Sequence, residues 1–168
     1  MLVEARPGAG KTTVATRLAD RLRTAGLPLA GFFTEEIREG GARVGFRIET
    51  FGGERDLLAH VDLRGPPRVG KYGVDLQAFE RLALPAVEPT AGGAIVIDEL
   101  GKMELASARF REAVSVLFDS GFPLVATVHS FRHSFTDQLK RRSDVELIRL
   151  SKANRDELPG VLAERVLG

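Results

Sequence analysis

The 168-residue chain has no cysteine, no tryptophan and a single tyrosine. Without thiols there can be no disulfide framework, no thiolate metal site and no cysteine nucleophile. Neither sign of charge dominates. Lys plus Arg number 24 against 23 Asp plus Glu, a net +1, which gives no electrostatic reason to expect a nucleic acid or an acidic membrane as main partner. No apolar run approaches the roughly 20 residues of a membrane span. The three histidines, His60, His129 and His133, lack metal-ligand spacing, so no zinc is expected. Repeats and low-complexity segments are absent. An apolar share of 43% with 28% charged residues describes an ordinary globular chain, and one domain over residues 1–168 is expected. The first residues run straight into a glycine-rich loop, so no leader peptide is expected and the protein reads as cytoplasmic.

That loop is "EARPGAGKTT", from Glu4. It matches the phosphate-binding pattern Gly-x-x-x-x-Gly-Lys-[Ser/Thr] except that Ala5 stands at the first glycine. Allowing that alanine, a chance match is expected in about one chain in a hundred of this length. Context strengthens it. Met1, Leu2, Val3 and Glu4 supply a short strand, and from Thr12 the positions Val14, Ala15, Leu18, Ala19, Leu22 and Ala25 keep helical spacing up to Gly26. A strand–loop–helix passage aims backbone N–H groups and the positive helix end at an anion. Gly8 and Gly10 allow backbone to approach phosphate. Lys11 is expected to reach the β- and γ-phosphates and Thr12 to offer its hydroxyl to Mg²⁺. Ala5 lies at the strand end, where positive φ is least needed.

Further along, "LAGFFTEEIREGGARVGFRIETFGG" alternates with period two around Gly40-Gly41, a hairpin inserted at about residues 30–60. Val44, Phe46 and Ile48 are expected on one face of its second strand, Arg43 and Arg47 on the other. Asp75 caps a short helix through Leu82. Ser107 caps another, with Phe110, Ala113, Val114, Leu117 and Phe118 inward and Gly121 at its end. "GAIVIDEL", "PLVATVH" and "VELIRLS" read as strands, "SFTDQLKRR" as a short basic helix, and Asn154 with Glu157 as a capping box for the last helix. Helices alternating with strands give an α/β fold with a mostly parallel core sheet plus the antiparallel hairpin.

A phosphate loop needs a carboxylate to hold Mg²⁺. "AIVIDEL" places Asp98 at the carboxyl end of a buried strand, where α/β sheets gather ligands. Glu99 beside it is expected to orient or deprotonate an attacking water. The 19 arginines outnumber 5 lysines, yet Lys11, Lys71 and Lys102 each follow a glycine within a motif, as compact phosphate-seeking charges would. Lys102 is expected near the γ-phosphate or the acid pair, and Lys71 in a loop that closes over the site. Arg43 and Arg47 are candidates for stabilising transition-state charge. Thr127 and His129 end a strand expected to lie beside the acid-bearing one, where a polar group could sense the γ-phosphate. Arg155, with Asn154, follows the last strand and is a candidate for stacking on the base. "KRR" at 140–142 reads as a solvated helix end.

The motifs "ARPGAGKTT", "GFFTEEIREGGARVGF", "VGKYGVDL", "IDELGKMEL" and "NRDEL" together resemble the thermophilic nucleoside-triphosphatase family in order and spacing, over essentially the whole chain. The resemblance implies a RecA-like core and Mg²⁺-dependent hydrolysis of ATP, GTP, CTP and UTP to the diphosphate and phosphate. By this match one nucleotide-binding segment comprises Ala5, Arg6, Pro7, Gly8, Ala9, Gly10, Lys11 and Thr12, with Thr13 adjoining. A second comprises Ile95, Val96, Ile97, Asp98, Glu99, Leu100, Gly101 and Lys102. The chain departs from the family pattern at Ala5, normally glycine, and at Glu4, often a small hydroxyl residue. Two rival readings stay open from the residues alone. One is a nucleotide or nucleoside kinase with "QLKRRSD" as lid. The other is a regulatory module whose hydrolysis a partner stimulates.

Overall fold

The computed structural model describes residues 1–168, and the chain order of its elements follows the hydropathy pattern. β1 (Leu2–Ala5) leads through the glycine loop into α1 (Lys11–Thr24) and β2 (Leu29–Glu39). β3 (Ala42–Thr50), β4 (Arg55–His60), β5 (Arg68–Val69) and β6 (Tyr72–Val74) come next, then α2 (Leu76–Ala86) and β7 (Ala94–Leu100). A 3₁₀ turn (Glu104–Ala106) precedes α3 (Ala108–Ser120), β8 (Leu124–His129), α4 (Ser134–Lys140), β9 (Leu147–Arg149) and α5 (Leu158–Leu167). No helix is long and apolar enough to cross a membrane.

All nine strands join one sheet in the order β5-β6-β4-β3-β2-β7-β8-β1-β9. From β2 to β9 every pairing is parallel, and from β2 to β5 every pairing is antiparallel. β7 shows why the parallel half must be covered on both sides. Its Ile95 and Ile97 join one core with Phe79 of α2, Phe110 and Val114 of α3 and Leu139 of α4. Its Ala94 and Val96 join the other, with Val14, Leu18 and Leu22 of α1 and Leu158 and Leu162 of α5. Three phenylalanines anchor the first core: Phe79 meets Phe32 and Phe110 edge-on, with centroids 5.8 and 5.0 Å apart.

Local caps act largely where the sequence places them. Asp75 accepts from Ala78 N–H at 2.9 Å and Ser107 from Phe110 N–H at 3.0 Å. At the β2–β3 turn both Gly40 (φ 55°) and Gly41 (φ 82°) have positive φ, the requirement of a tight hairpin that twists with its strands.

Four expectations are corrected. The insertion is larger than a hairpin at 30–60. β2 belongs to the parallel core through its pairing with β7 from Leu29 to Phe33, and the antiparallel wing runs on through β6 to Val74, so a parallel core sheet carries a longer antiparallel extension than a single hairpin. The short β5 and β6, of two and three residues, carry no periodic signal. α2 continues a turn beyond Leu82, to Ala86. Asn154 does not cap α5, which starts four residues later with Glu157 at its N-cap and no side-chain cap bond. The Asn154 amide instead accepts from Ser151 N–H at 2.8 Å and donates to Arg149 C=O at 2.9 Å, closing the turn after β9.

The fourth correction concerns the arginines of β3. Pairing with β2 shifts register between Ile37 and Arg38, so that Ile37 faces Gly45 but Arg38 faces Arg43. The extra residue is Val44, a bulge that re-aims the side chains beyond it. Arg43 consequently lies over the Phe46 ring, 5.2 Å from its centroid, while Arg47 bonds Glu35. The two arginines do not share a face.

Candidate active site

Parallel strands end together, and β1, β7 and β8 bring their carboxyl ends to one place. At β1 the chain leaves Ala5, which is buried, and curls through the glycine loop into α1. Gly10 occupies the N-cap with φ 101°, a conformation that a β-carbon penalises. A β-carbon there would also collide with Arg155, whose Cδ would be 2.8 Å away. Arg155 thus lays its aliphatic stem against the phosphate loop.

β7 delivers the acids. Its register against β8 passes from Ile97 opposite Ala126 to Leu100 opposite Val128, three steps on one strand against two on the other. In a regular strand Asp98 and Glu99 would face opposite sides of the sheet. The bulge turns both toward the loop. Asp98, 1% exposed, accepts from Thr12 Oγ1 through Oδ2 at 2.5 Å and from Thr127 Oγ1 through Oδ1 at 2.5 Å. Glu99 pairs with the Lys11 ammonium at 3.2 Å, and the Lys11 side chain is itself mostly buried. Lys11, Thr12, Asp98, Thr127 and Glu99 therefore form one connected constellation.

Electrostatics within it are unequal. Burial, the dominant influence, pushes the Asp98 carboxyl up to about 6 against the opposing hydrogen bonds from Thr12 and Thr127. Glu104 of the 3₁₀ turn is also buried and is pushed up to about 8, first by burial and then by the negative charge of Glu99. Its closeness to Glu99 is measured at Gly101: a β-carbon on that glycine would lie 2.7 Å from Glu104 Oε2 and 2.9 Å from Glu99 Oε1. A side chain at position 101 would therefore displace one or both carboxylates.

The constellation opens into a cleft of about 720 Å³. One wall is Pro7, Gly8, Gly10, Lys11, Thr12 and Thr13, and its floor is Asp98 and Glu99. The facing wall is Thr34, Glu35, Glu36, Arg43 and Phe46 from β2 and β3. That second wall was not read from the sequence beyond Arg43. The adjacent acids of "FFTEEI" were the available signal, because two consecutive carboxylates at the far end of a core strand must either find cations or border a ligand. Ile95, Val96, Ile97 and Leu100 of the second segment are buried core residues that hold the acids in place from behind.

Other nominated residues lie outside this cleft lining. Lys102 stands 4.6 Å from the Phe131 ring centroid and is not paired with Glu99; Lys11 takes that place. Lys71 lies over the Tyr72 ring at 5.3 Å, at the far edge of the wing. His129 is buried, stacks in parallel on Phe131, and its Nδ1 sits 3.1 Å from the Phe131 carbonyl. A carbonyl only accepts, so Nδ1 carries the proton and Nε2 is a bare acceptor with no partner. Burial lowers the ring to about 4, keeping it neutral. In that state the ring N–H of His129 is committed to the Phe131 carbonyl.

The basic segment at 140–142 is solvated only at Arg141, which is exposed. Lys140 is mostly buried, bonding Glu4 at 2.7 Å and the His129 carbonyl at 2.8 Å. This pair accounts for the acid at position 4: it ties β1 to α4 just below the loop. Arg142 is engaged by Asp119 and Asp144. Lys140 and Arg142 are thus tied to the body of the protein, which restrains the segment that a kinase would need as a mobile lid.

Comparison with known proteins agrees with this architecture. A family model described as NTPase matches residues 1–163. Nucleoside-triphosphatase THEP1 of Thermotoga sp. (strain RQ2) is 44% identical over 160 residues, covering 94% of this chain and 90% of that protein. The human cancer-related nucleoside-triphosphatase is 39% identical, covering 90% and 88% respectively. Among solved structures, the crystal structure of THEP1 from Aquifex aeolicus superimposes with a TM-score of 0.89 at 34% identity, covering 99% of this chain and 98% of that one. The solution structure of the human protein gives 0.84 at 36% identity, covering 99% and 96%.

Proposed function

This chain belongs to the NTPase family, and from that membership we propose that it hydrolyses nucleoside 5'-triphosphates to diphosphate and phosphate with Mg²⁺ and broad base tolerance. The observation that supports this most directly is the junction of the two nucleotide segments, where Thr12 meets Asp98 and Lys11 meets Glu99. The donor set suits a hard cation that shares its ligands with phosphate oxygens: one carboxylate and one hydroxyl are adjacent. No three Asp, Glu or His side chains converge to cage a metal on their own. Thr12 and Asp98 would hold Mg²⁺, which when bound neutralises charge on the phosphates.

The chain's own residues then divide the work. The α1 N-terminus and the glycine-loop amides bind the phosphates. Lys11 exchanges part of its contact with Glu99 for the β- and γ-phosphates. Glu99, so released, accepts the proton of the water that attacks the γ-phosphorus in line. Glu104, adjacent and predominantly protonated at neutral pH, adds little negative charge beside it. Thr127 fixes the second oxygen of Asp98.

The make-up of the lining supports base tolerance. Phosphate-side groups dominate it, and Phe46 is the one hydrophobic residue, so the grip is on the phosphates common to all NTPs. The test is phosphate release from ATP, GTP, CTP and UTP by purified protein, with Mg²⁺ and with excess chelator. Rates within about tenfold are expected, because undirected stacking differences supply roughly 1.4 kcal/mol. Discrimination of a thousandfold would mean a dedicated base pocket, and turnover in chelator would remove the metal from the reading.

A further inference from the structure

The facing wall of the cleft belongs to the antiparallel wing, and one group on it has no part in the chemistry above. Of 19 arginines in the chain, Arg43 alone lines the cleft with Lys11, Thr12, Asp98 and Glu99. It is there because of the β3 bulge, which turns it to the face of Phe46. Its Nη1 donates to Glu36 Oε1 at 2.7 Å and its Nε to the Tyr72 hydroxyl at 3.0 Å. These contacts leave the Nη2 amino group uncommitted. Arg47 differs on each count. It is outside the lining, and it gives both Nε and Nη2 to Glu35. Lys71 and Lys102 are each held over an aromatic ring elsewhere.

We infer that Arg43 is a catalytic residue that contacts the γ-phosphoryl oxygens from the wing and stabilises the charge they carry in the transition state. This rests on the hydrolytic reading of the cleft. In the step concerned, the water oxygen bonds to the γ-phosphorus while the bond from that phosphorus to the β,γ-bridging oxygen breaks. The water proton passes to Glu99, and the bond's electron pair leaves with the diphosphate. Charge builds on the bridging and equatorial oxygens. Lys11 meets it from the loop side, and a guanidinium on the opposite wall meets it from the other. Phe46 and Tyr72 limit where the guanidinium can go, and Glu36, itself on the lining, holds it at the cleft. The pair with Glu36 is substantially exposed, 45% and 37% at the two side chains, so breaking it in favour of a phosphate costs little.

Single-turnover hydrolysis at saturating NTP, equilibrium NTP binding, and capture of Mg²⁺·NDP with aluminium fluoride should be measured on Arg43→Ala, Arg43→Lys and Arg47→Ala. Comparable groups are worth 10³–10⁵ in rate. Arg43→Ala should fall by about 10³ or more, keep NTP affinity within a few-fold and lose the aluminium fluoride complex. Arg43→Lys, which preserves charge and stem, should still be at least tenfold slow, because an ammonium cannot bridge two oxygens as a planar fork does. It also guards against a folding artefact in the alanine variant. Arg47→Ala should match the unmodified protein. Hydrolysis by Arg43→Ala at the unmodified rate would overturn this inference alone, as would an equal loss in Arg47→Ala. No phosphate release by the unmodified protein would overturn the hydrolytic reading and this inference with it.

Discussion

The two walls of the cleft are held in place by different physics. On the loop side, Asp98 is buried and bonded on both oxygens by Thr12 and Thr127, and Lys11 is nearly enclosed with Glu99. Around Asp98 and Thr127, both buried, water competes little, and each polar group there has one place to be. On the wing, Arg38 and Arg43 share Glu36, Arg47 takes Glu35 and Arg55 takes Glu49, all with the arginine side substantially exposed. Exposed pairs of this kind contribute about 0–1 kcal/mol each. One wall is thus preorganised and the other adjustable, which suits a site that grips phosphate with the first and closes charge upon it with the second.

The greatest separation should come from Lys11→Ala. It removes the one lysine of the loop, the side chain proposed to reach the β- and γ-phosphates alongside the loop amides. Turnover should disappear and NTP binding should weaken, as read by phosphate release beside nucleotide titration. Retained turnover would mean that the preorganised wall is dispensable.

Glu99→Gln should come next, because it keeps shape while removing the proposed base. General-base assistance is worth about 10²–10⁴ in rate, and a loss of that order is expected with affinity unchanged or tighter. Weakened binding would instead make Glu99 the partner of the metal.

Glu104 gives the buried wall a pH signature. Its carboxyl rises from 4.5 in the unfolded chain to about 8 when folded, so between those values the folded state holds a proton that the unfolded state has released. Stability of the nucleotide-free protein should therefore fall as pH rises through this window, by at most about 1.4 kcal/mol per unit, and level off above it. Urea unfolding across pH 5–9 should show this slope, and Glu104→Gln should flatten it. An unchanged slope in the variant would place the proton elsewhere.

The smallest effects bear on the comparison directly. Thr127→Val strands one oxygen of a buried carboxylate and should cost about 1–3 kcal/mol in urea unfolding. Arg47→Ala breaks an exposed pair and should cost under about 1 kcal/mol. Equal costs would dissolve the distinction between the walls.

Much of the loop side was legible in the sequence. A glycine-rich loop between a strand and an amphipathic helix, and an acid pair ending a buried strand, are local patterns whose chemistry follows from covalent order. So were the Ser107 and Asp75 caps and the Gly40-Gly41 turn, which depend on neighbours two or three residues away. What escaped notice was non-local. Alternation put Arg43 and Arg47 on one face because a bulge leaves no mark in the period of a strand. Lys140 read as solvated because its partner, Glu4, is 136 residues away in sequence. Asn154 read as a cap because the turn after β9 competes for the same amide.

By itself, then, the order of residues determined which groups are proposed to bind phosphate and metal, since those roles need particular functional groups at fixed local spacing. Tertiary structure alone decided which cation stands beside Glu99, which arginine faces the cleft and how deeply the carboxylates are buried. Those outcomes depend on strand register and on exclusion of water, and both arise only when distant segments pack against one another.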